Sequence, residues 1–162
     1  MAEPFYTTDT FRPQTSIGYL IRRIHKLGLA RMEAAFVDLD VSFIQWAVLS
    51  LIRYDIARTA SGLARDIGHD SGAMTRVIDQ LEERELVQRS RDKADRRVVK
   101  LELTPAGDAM VNALCPLVMD IWNEVLDGIE AEEIQPFIAT LTRILVKLES
   151  LEGPCGESCS EA

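Results

Sequence analysis

The chain is poor in the groups that most chemistry requires. Among 162 residues there are two histidines, His25 and His69, and three cysteines, Cys115, Cys155 and Cys159. Three thiols in the last third cannot all pair within one chain, which argues against a disulfide scaffold and for a reducing compartment. The two thiols of the tail supply only half of a tetrahedral metal set, so no metal is expected. No phosphate-cradling glycine loop and no zinc-binding His/Glu helix motif occurs, and no cofactor is expected. "GHDSG", residues 68–72, contains the letters of a hydrolase signature. Ser71 there opens a helix with no strand before it, so the chain does not read as an enzyme. No apolar run approaches the roughly 20 residues of a membrane span, and "MAEPFYTTDTFRPQ" lacks the basic-then-apolar pattern of a signal peptide. The cytoplasm is the expected location. A single domain of this length buries roughly two-thirds of the surface its unfolded form exposes, enough to fold without staples.

Acidic charge is abundant, but it is unevenly placed. The formal net charge is -8. Residues 1–60 carry seven basic and six acidic side chains, residues 61–104 nine of each, and residues 105–162 two and eleven. Within the neutral middle block, residues 89–100 hold six basic side chains against two acidic ones. An acidic chain with such a segment remains a candidate for binding a polyanion, because binding responds to the local field.

The pattern along the chain is mainly helical. From Ser16, the positions Ile17, Leu20, Ile21, Ile24 and Leu27 recur at helical spacing, and the pattern runs to about Leu39. "SFIQWAVLSLI", residues 42–52, is apolar nearly all round and reads as a core helix. A short helix over residues 60–67 has Thr59 as N-cap and Gly68 just past its end, although the capping box is incomplete because Gly62 stands at its third position. Two residues later Asp70 caps a further helix. Met74, Val77, Ile78 and Leu81 form its buried stripe, and Ser71, Gly72, Thr75, Arg76, Asp79 and Gln80 its polar face. Two helices joined by a tight glycine turn make a helix-turn-helix.

The period then changes. Val99, Leu101 and Leu103 alternate with polar residues, as in a half-buried strand; "LVQRSR" supplies its partner and "DKADRR" the hairpin tip. Helix-turn-helix followed by a basic hairpin is a winged helix. Thr104 and Pro105 open another helix, expected to reach about Asp127 and to bend near Pro116; a last one runs over about residues 132–151. The first and the last two helices carry more apolar surface than a small winged helix can cover, which points to a second subunit.

With these features in view, "SIGYLIRRIHKL", "VSFIQWAVLSLI" and "TASGLARDIGHDSGAMTRVIDQLEERELVQRSRDKADRRVVKLELTPAG" resemble the multiple-antibiotic-resistance regulator (MarR) family of bacterial transcription factors. The most specific part joins "TRVIDQLEERELV" to "DKADRRVVKLELTPAG". The resemblance implies one mainly α-helical domain with a small β-hairpin wing. In it residues 41–104 form the winged helix-turn-helix, residues 1–40 and 105–151 are dimerisation helices, and 152–162 is a mobile tail. It implies a homodimeric repressor of a pseudo-palindromic double-stranded DNA operator. One departure is Glu85 in "ERELV", where the family usually has glycine; a positive φ there would cost a glutamate roughly 1 kcal/mol.

The candidate DNA-binding residues are Ser71, Gly72, Thr75 and Arg76 on the recognition helix and Arg89, Arg91, Lys93, Arg96 and Arg97 on the wing. Arg76 suits a guanine edge. Gly72 and Ala73 either let a phosphate approach the helix start or simply permit a tight first turn. One of Arg96 and Arg97 would enter a minor groove while the other braces against Asp92 or Asp95; the residues leave open which. Family members often bind small aromatic or phenolic anions between dimer helices and winged helix. Tyr19, Arg22, Arg23 and His25, with Phe43 and Trp46, are the candidates here, set against a core role for Phe43 and Trp46 and a solvated or intersubunit one for the arginines. His25 is the member whose protonation would make binding pH-sensitive. Two other readings remain: a redox switch through Cys155 and Cys159, with Cys115 a small buried hydrophobe, and a winged helix that binds protein through the acidic last third.

Overall fold

The structure is a computed structural model that describes residues 4–91 and 99–151. In chain order it contains α1 (Ile17–Phe36), a 3-10 turn (Val37–Leu39), α2 (Phe43–Arg53), α3 (Ala60–Ile67), α4 (Ser71–Glu83), β1 (Val87–Arg91), β2 (Val99–Leu103), α5 (Pro105–Val125) and α6 (Ala131–Leu151). It is a mainly helical winged-helix fold with one antiparallel hairpin. The wing tip, with Asp92, Lys93, Asp95, Arg96 and Arg97, and the tail, with Cys155 and Cys159, lie outside the described residues. Cα proximity divides the chain into two compact units, Met1–Trp122 and Asn123–Ala162.

Local chemistry sets the helix ends in the first unit. Ser42 and Gln45 form a complete capping box at the start of α2, and Glu33 Oε1 accepts from the Phe43 amide at 2.9 Å. Three of the amides a helix start leaves unpaired are thereby satisfied. Thr59 caps α3 through the Gly62 amide at 3.1 Å. Gly68, at φ 74, closes α3, with its own amide on the Arg65 carbonyl and the His69 amide on that of Ala64. That pairing is a Schellman motif, which demands a left-handed residue where glycine has no Cβ to clash.

The same motif ends α4 without a glycine. Glu85 sits at φ 55, its amide bonds Glu82 O, and the Leu86 amide bonds Leu81 O, each at 2.9 Å. Glu85 therefore does take the strained conformation, and the helix still ends as it would with glycine. Arg84 Nη1 also donates to Asp40 O at 2.6 Å, tying the end of α4 to the loop after α1.

Packing follows the apolar stripes. One core joins Val48, Leu49 and Ile52 of α2, Leu63 of α3, Met74, Ile78 and Leu81 of α4, Leu101 of β2 and Val111 of α5. Each fully buried aliphatic side chain here contributes about 1.5–3 kcal/mol. A second, smaller core holds Met32, Phe36, Val41 and Leu114, with Phe43 and Trp46 half-buried beside it. In the hairpin, Val87 opposes Leu103, Arg89 opposes Leu101 and Arg91 opposes Val99. The outer edge of β2 is held by the Leu101 amide, which donates to Arg58 O at 2.7 Å.

At the entry to α5 the chains come very close. The Thr104 amide donates to Leu86 O at 3.1 Å, and the Thr104 hydroxyl donates to Glu85 O at 2.5 Å while accepting from the Gly107 amide. A Cβ on Gly107 would stand 2.0 Å from Leu86 O, a backbone atom that cannot swing aside.

Some apolar faces stay uncovered. On α1, Ile17, Leu20, Ile21, Ile24 and Leu27 are between 41% and 58% exposed. In the second unit no residue of α6 is buried, and Phe137, Ile138, Leu145 and Leu148 are at least half exposed. Among the described residues no single helix is long and apolar enough to cross a membrane.

Two substitutions test the junction. Gly107→Ala is expected to destabilise by about 1–3 kcal/mol or more, as overpacking against backbone does, and Glu85→Gly to stabilise by up to about 1 kcal/mol. Urea midpoints read both; a neutral Gly107→Ala would show that the Leu86 carbonyl yields without cost.

Candidate nucleic-acid interface

The recognition helix α4 is positioned from three sides. Its stripe of Met74, Ile78 and Leu81 is buried in the core, and Gln80 Oε1 accepts from Gln45 Nε2 of α2 at 3.3 Å. The third hold comes from the hairpin. Arg89 of β1 donates through Nη2 to Asp79 Oδ1 at 2.6 Å and through Nη1 to Glu82 Oε2. These bonds and the two carboxylates hold its guanidinium still more firmly protonated than usual. They also cancel its charge locally and fix β1 against α4, so Arg89 presents a brace rather than a free cation.

The opposite face of α4 is open. Ser71, Gly72, Thr75 and Arg76 are all exposed, and they fall at helical spacing on the side away from the core stripe. Arg76 has no hydrogen-bond partner among the described residues. The Thr75 hydroxyl donates to Ser71 O at 2.8 Å, so it offers a base an acceptor lone pair and a methyl group. Arg91 ends β1, also exposed.

The helix start is already occupied by a side chain of its own. Asp70 Oδ1 accepts from the Ala73 amide at 2.9 Å. That bond above all, with lesser help from the Gly72 amide and nearby His69 and Arg76, lowers the Asp70 carboxyl below its ordinary range. A Cβ on Gly72 would stand 3.2 Å from Asp70 Oδ1. Glycine here thus accommodates the cap, and a phosphate arriving at this helix end would meet a carboxylate.

The aromatic candidates separate. A cavity of about 330 Å3 is lined by His25 of α1 and Phe43 and Trp46 of α2, together with Ser50, Tyr54 and Asp66 among others. This lies in the size range of small-molecule sites. Tyr19, Arg22 and Arg23 do not line it; the Arg22 guanidinium lies 5.8 Å from the centre of the Tyr19 ring instead. Phe43 and Trp46 serve in two places, since Trp46 also lies 6.0 Å from Phe36 of the second core, centroid to centroid. Tyr54, Ile56 and Asp66 were not expected in the wall, because they come from a loop and a helix with no shared periodicity. The Gln45–Gln80 bridge was likewise unannounced, although the S-x-x-Q pattern of residues 42–45 does mark Gln45 as a capping residue. Cys115 is half-buried, and its thiol is free.

A helix-turn-helix with an open polar face on its second helix, followed directly by a hairpin that braces it, defines a winged-helix DNA-binding fold. Residues 42–99 match the model of the MarR family. Among solved structures, wild-type MarR of E. coli in its apo form is similar at 27% identity and TM-score 0.69, over 80% of this chain and 97% of that one. BpsR of Bordetella bronchiseptica, whose DNA binding is regulated by 6-hydroxynicotinic acid, is 26% identical with TM-score 0.69, over 83% and 96%. CouR of Rhodococcus jostii, bound to p-coumaroyl-CoA, is 25% identical with TM-score 0.73, over 83% and 95%. Over residues 42–99 the chain is thus similar to the MarR family, and over most of its length to solved MarR-family regulators; it is a DNA-binding transcriptional regulator of winged-helix fold, in a class that catalyses no reaction.

The lowered carboxyl of Asp70 has a consequence for stability. A depressed folded-state value stabilises the fold above the ordinary carboxyl range, and this is lost as pH falls through the folded value. Asp70→Asn should therefore be less stable than the parent near neutrality. The gap should close as pH falls from about 5 toward 2, which thermal melts across that range would show.

Proposed function

We propose that the chain is a homodimeric repressor that binds a pseudo-palindromic operator and is released by a small aromatic or phenolic ligand. The observation that carries this is the open face of α4, with Ser71, Thr75 and Arg76 exposed on a helix held by core, Gln45 and Arg89. Two such helices, spaced roughly 34 Å apart by a two-fold axis, fit successive major grooves. Arg76 would read a guanine, and Ser71 and Thr75 base edges or adjacent phosphates. Arg91, Lys93 and one of Arg96 and Arg97 would contact phosphates or enter the minor groove. The exposed apolar faces of α1 and α6 support the homodimer, because faces of that kind on a monomer are normally covered by a partner. The ligand reading rests on the cavity beside α2 and α3, and is supported by the ligands named with BpsR, 6-hydroxynicotinic acid, and with CouR, p-coumaroyl-CoA.

Affinity measured against salt tests the assignment residue by residue. Arg97→Ala should weaken binding to all sequences and make the logarithmic salt slope shallower by about one per lost phosphate contact. Arg76→Ala should cost about 1–3 kcal/mol and relax preference at one base pair. Arg89→Ala should weaken binding while the slope stays as in the parent, since its charge already faces Asp79 and Glu82. An absent salt slope in the parent chain would remove the DNA reading of the wing in favour of a protein partner.

A further inference from the structure

The wall of the 330 Å3 cavity says what charge its occupant carries. We infer that it takes an uncharged aromatic molecule, such as a phenolic amide or aldehyde, in preference to an aromatic carboxylate. This rests on the ligand reading given above.

Among the described residues no arginine or lysine lines the cavity; Asp66 is the one carboxylate there, and His25 and the Tyr54 phenol are the other ionisable groups. The arginines of α1 that would have offered a cation, Arg22 and Arg23, are outside it. Asp66 is paired with its neighbour Arg65, Nε to Oδ1 at 3.2 Å, but that guanidinium is 80% exposed and no part of the wall. An aromatic acid entering here would give up water around its charge with no arginine or lysine among the described wall residues to replace it, and would face the Asp66 carboxylate.

Trp46 and Ser50 line the wall, but Trp46 Nε1 and Ser50 Oγ are fully buried, without a partner in the described structure and without surface open to the cavity, so they offer a charged occupant no polar anchor. Phe43 and Trp46, 5.5 Å apart at their centroids, and the aliphatic side chains of Leu51, Ile56 and Ile67 provide the apolar walls for a flat ring.

Titration calorimetry of the full chain with 4-hydroxybenzamide and 4-hydroxybenzoate, matched in shape and different in charge, decides the matter. The amide should bind at least about tenfold more tightly, the ratio set by a modest difference in desolvation. Asp66→Asn should narrow that preference by restoring affinity for the acid, whereas His25→Gln should leave the amide preferred. Ala47→Leu, which fills the cavity, should abolish amide binding. An acid that binds the parent as well as the amide does, or amide binding that survives in a folded Ala47→Leu chain, overturns the inference. If neither molecule binds the parent but the chain still binds its operator, the ligand reading of the cavity falls and the inference with it, while the DNA reading stands.

Discussion

Glu85 and Leu86 are the point on which the DNA-binding half of the molecule hangs. Within two residues the chain ends the recognition helix, starts the hairpin and receives the first turn of α5. The Leu86 amide closes α4 on Leu81, its side chain is buried in the core, and its carbonyl takes the Thr104 amide. The absence of a Cβ on Gly107 is what lets α5 approach that carbonyl. The cost is a glutamate in left-handed backbone, about 1 kcal/mol, set against several hydrogen bonds and a buried leucine. Because helix, wing and α5 share this junction, the angle of α4 to the hairpin is set by backbone geometry and is then locked by Arg89.

That lock bears on how an acidic protein meets DNA. Net charge says little, since nearly all the excess acid lies after residue 104. Even within the basic segment, charge is not equivalent from one residue to the next. Arg89 and Arg91 occupy the same face of β1 two residues apart and are both exposed, yet Arg89 is consumed by Asp79 and Glu82, whereas Arg91 has no ion pair among the described residues. Asp70 likewise uses a helix-start amide that would otherwise be free to draw a phosphate. Both interactions give up some long-range attraction for a fixed recognition helix, and a fixed helix is what discriminates between base pairs.

The parts of the fold that were legible in sequence are those decided within a few residues. Thr59, Gly68 and Asp70 mark the ends of α3 and the start of α4 because caps and left-handed turns are local chemistry, and the alternation of Val99, Leu101 and Leu103 fixes β2 in the same way. The candidate site was legible as a surface only where it lies on one element: Ser71, Gly72, Thr75 and Arg76 share the open face of α4 by helical phase alone. Arg89 stands among the candidate DNA contacts, and nothing in the spacing of a strand and a preceding helix says that Asp79 and Glu82 meet it. Helix phase also explains the split among the aromatic-site candidates. On α1, Tyr19 and Arg23 lie about 120° and 160° around the axis from His25 at about 100° per residue, so His25 can face the cavity while they cannot. Arg22 is nearer in angle, about 60°, but stands a turn away over the Tyr19 ring.

The cavity and the open face of α4 are connected by short, stiff routes. Asp66 and Ile67 close the cavity from the last turn of α3, and only Gly68, His69 and Asp70 separate that turn from α4. On the other wall, α2 carries Trp46 and Ser50 into the cavity and, one residue before Trp46, Gln45 onto Gln80 of the recognition helix. An occupant that wedges α2 from α3 therefore acts on α4 through its preceding turn and through a hydrogen bond at its middle. Neither route transmits anything unless the ligand binds one arrangement of these helices better than the other, and the shift it can produce is limited to that difference in affinity. The Gln45–Gln80 bond is the weaker of the two routes, at 3.3 Å between neutral groups. The three-residue turn from Gly68 to Asp70, closed by a Schellman motif and an N-cap at its two ends, is the stiffer one, so displacement of α3 is the motion most directly conveyed to the open face of α4.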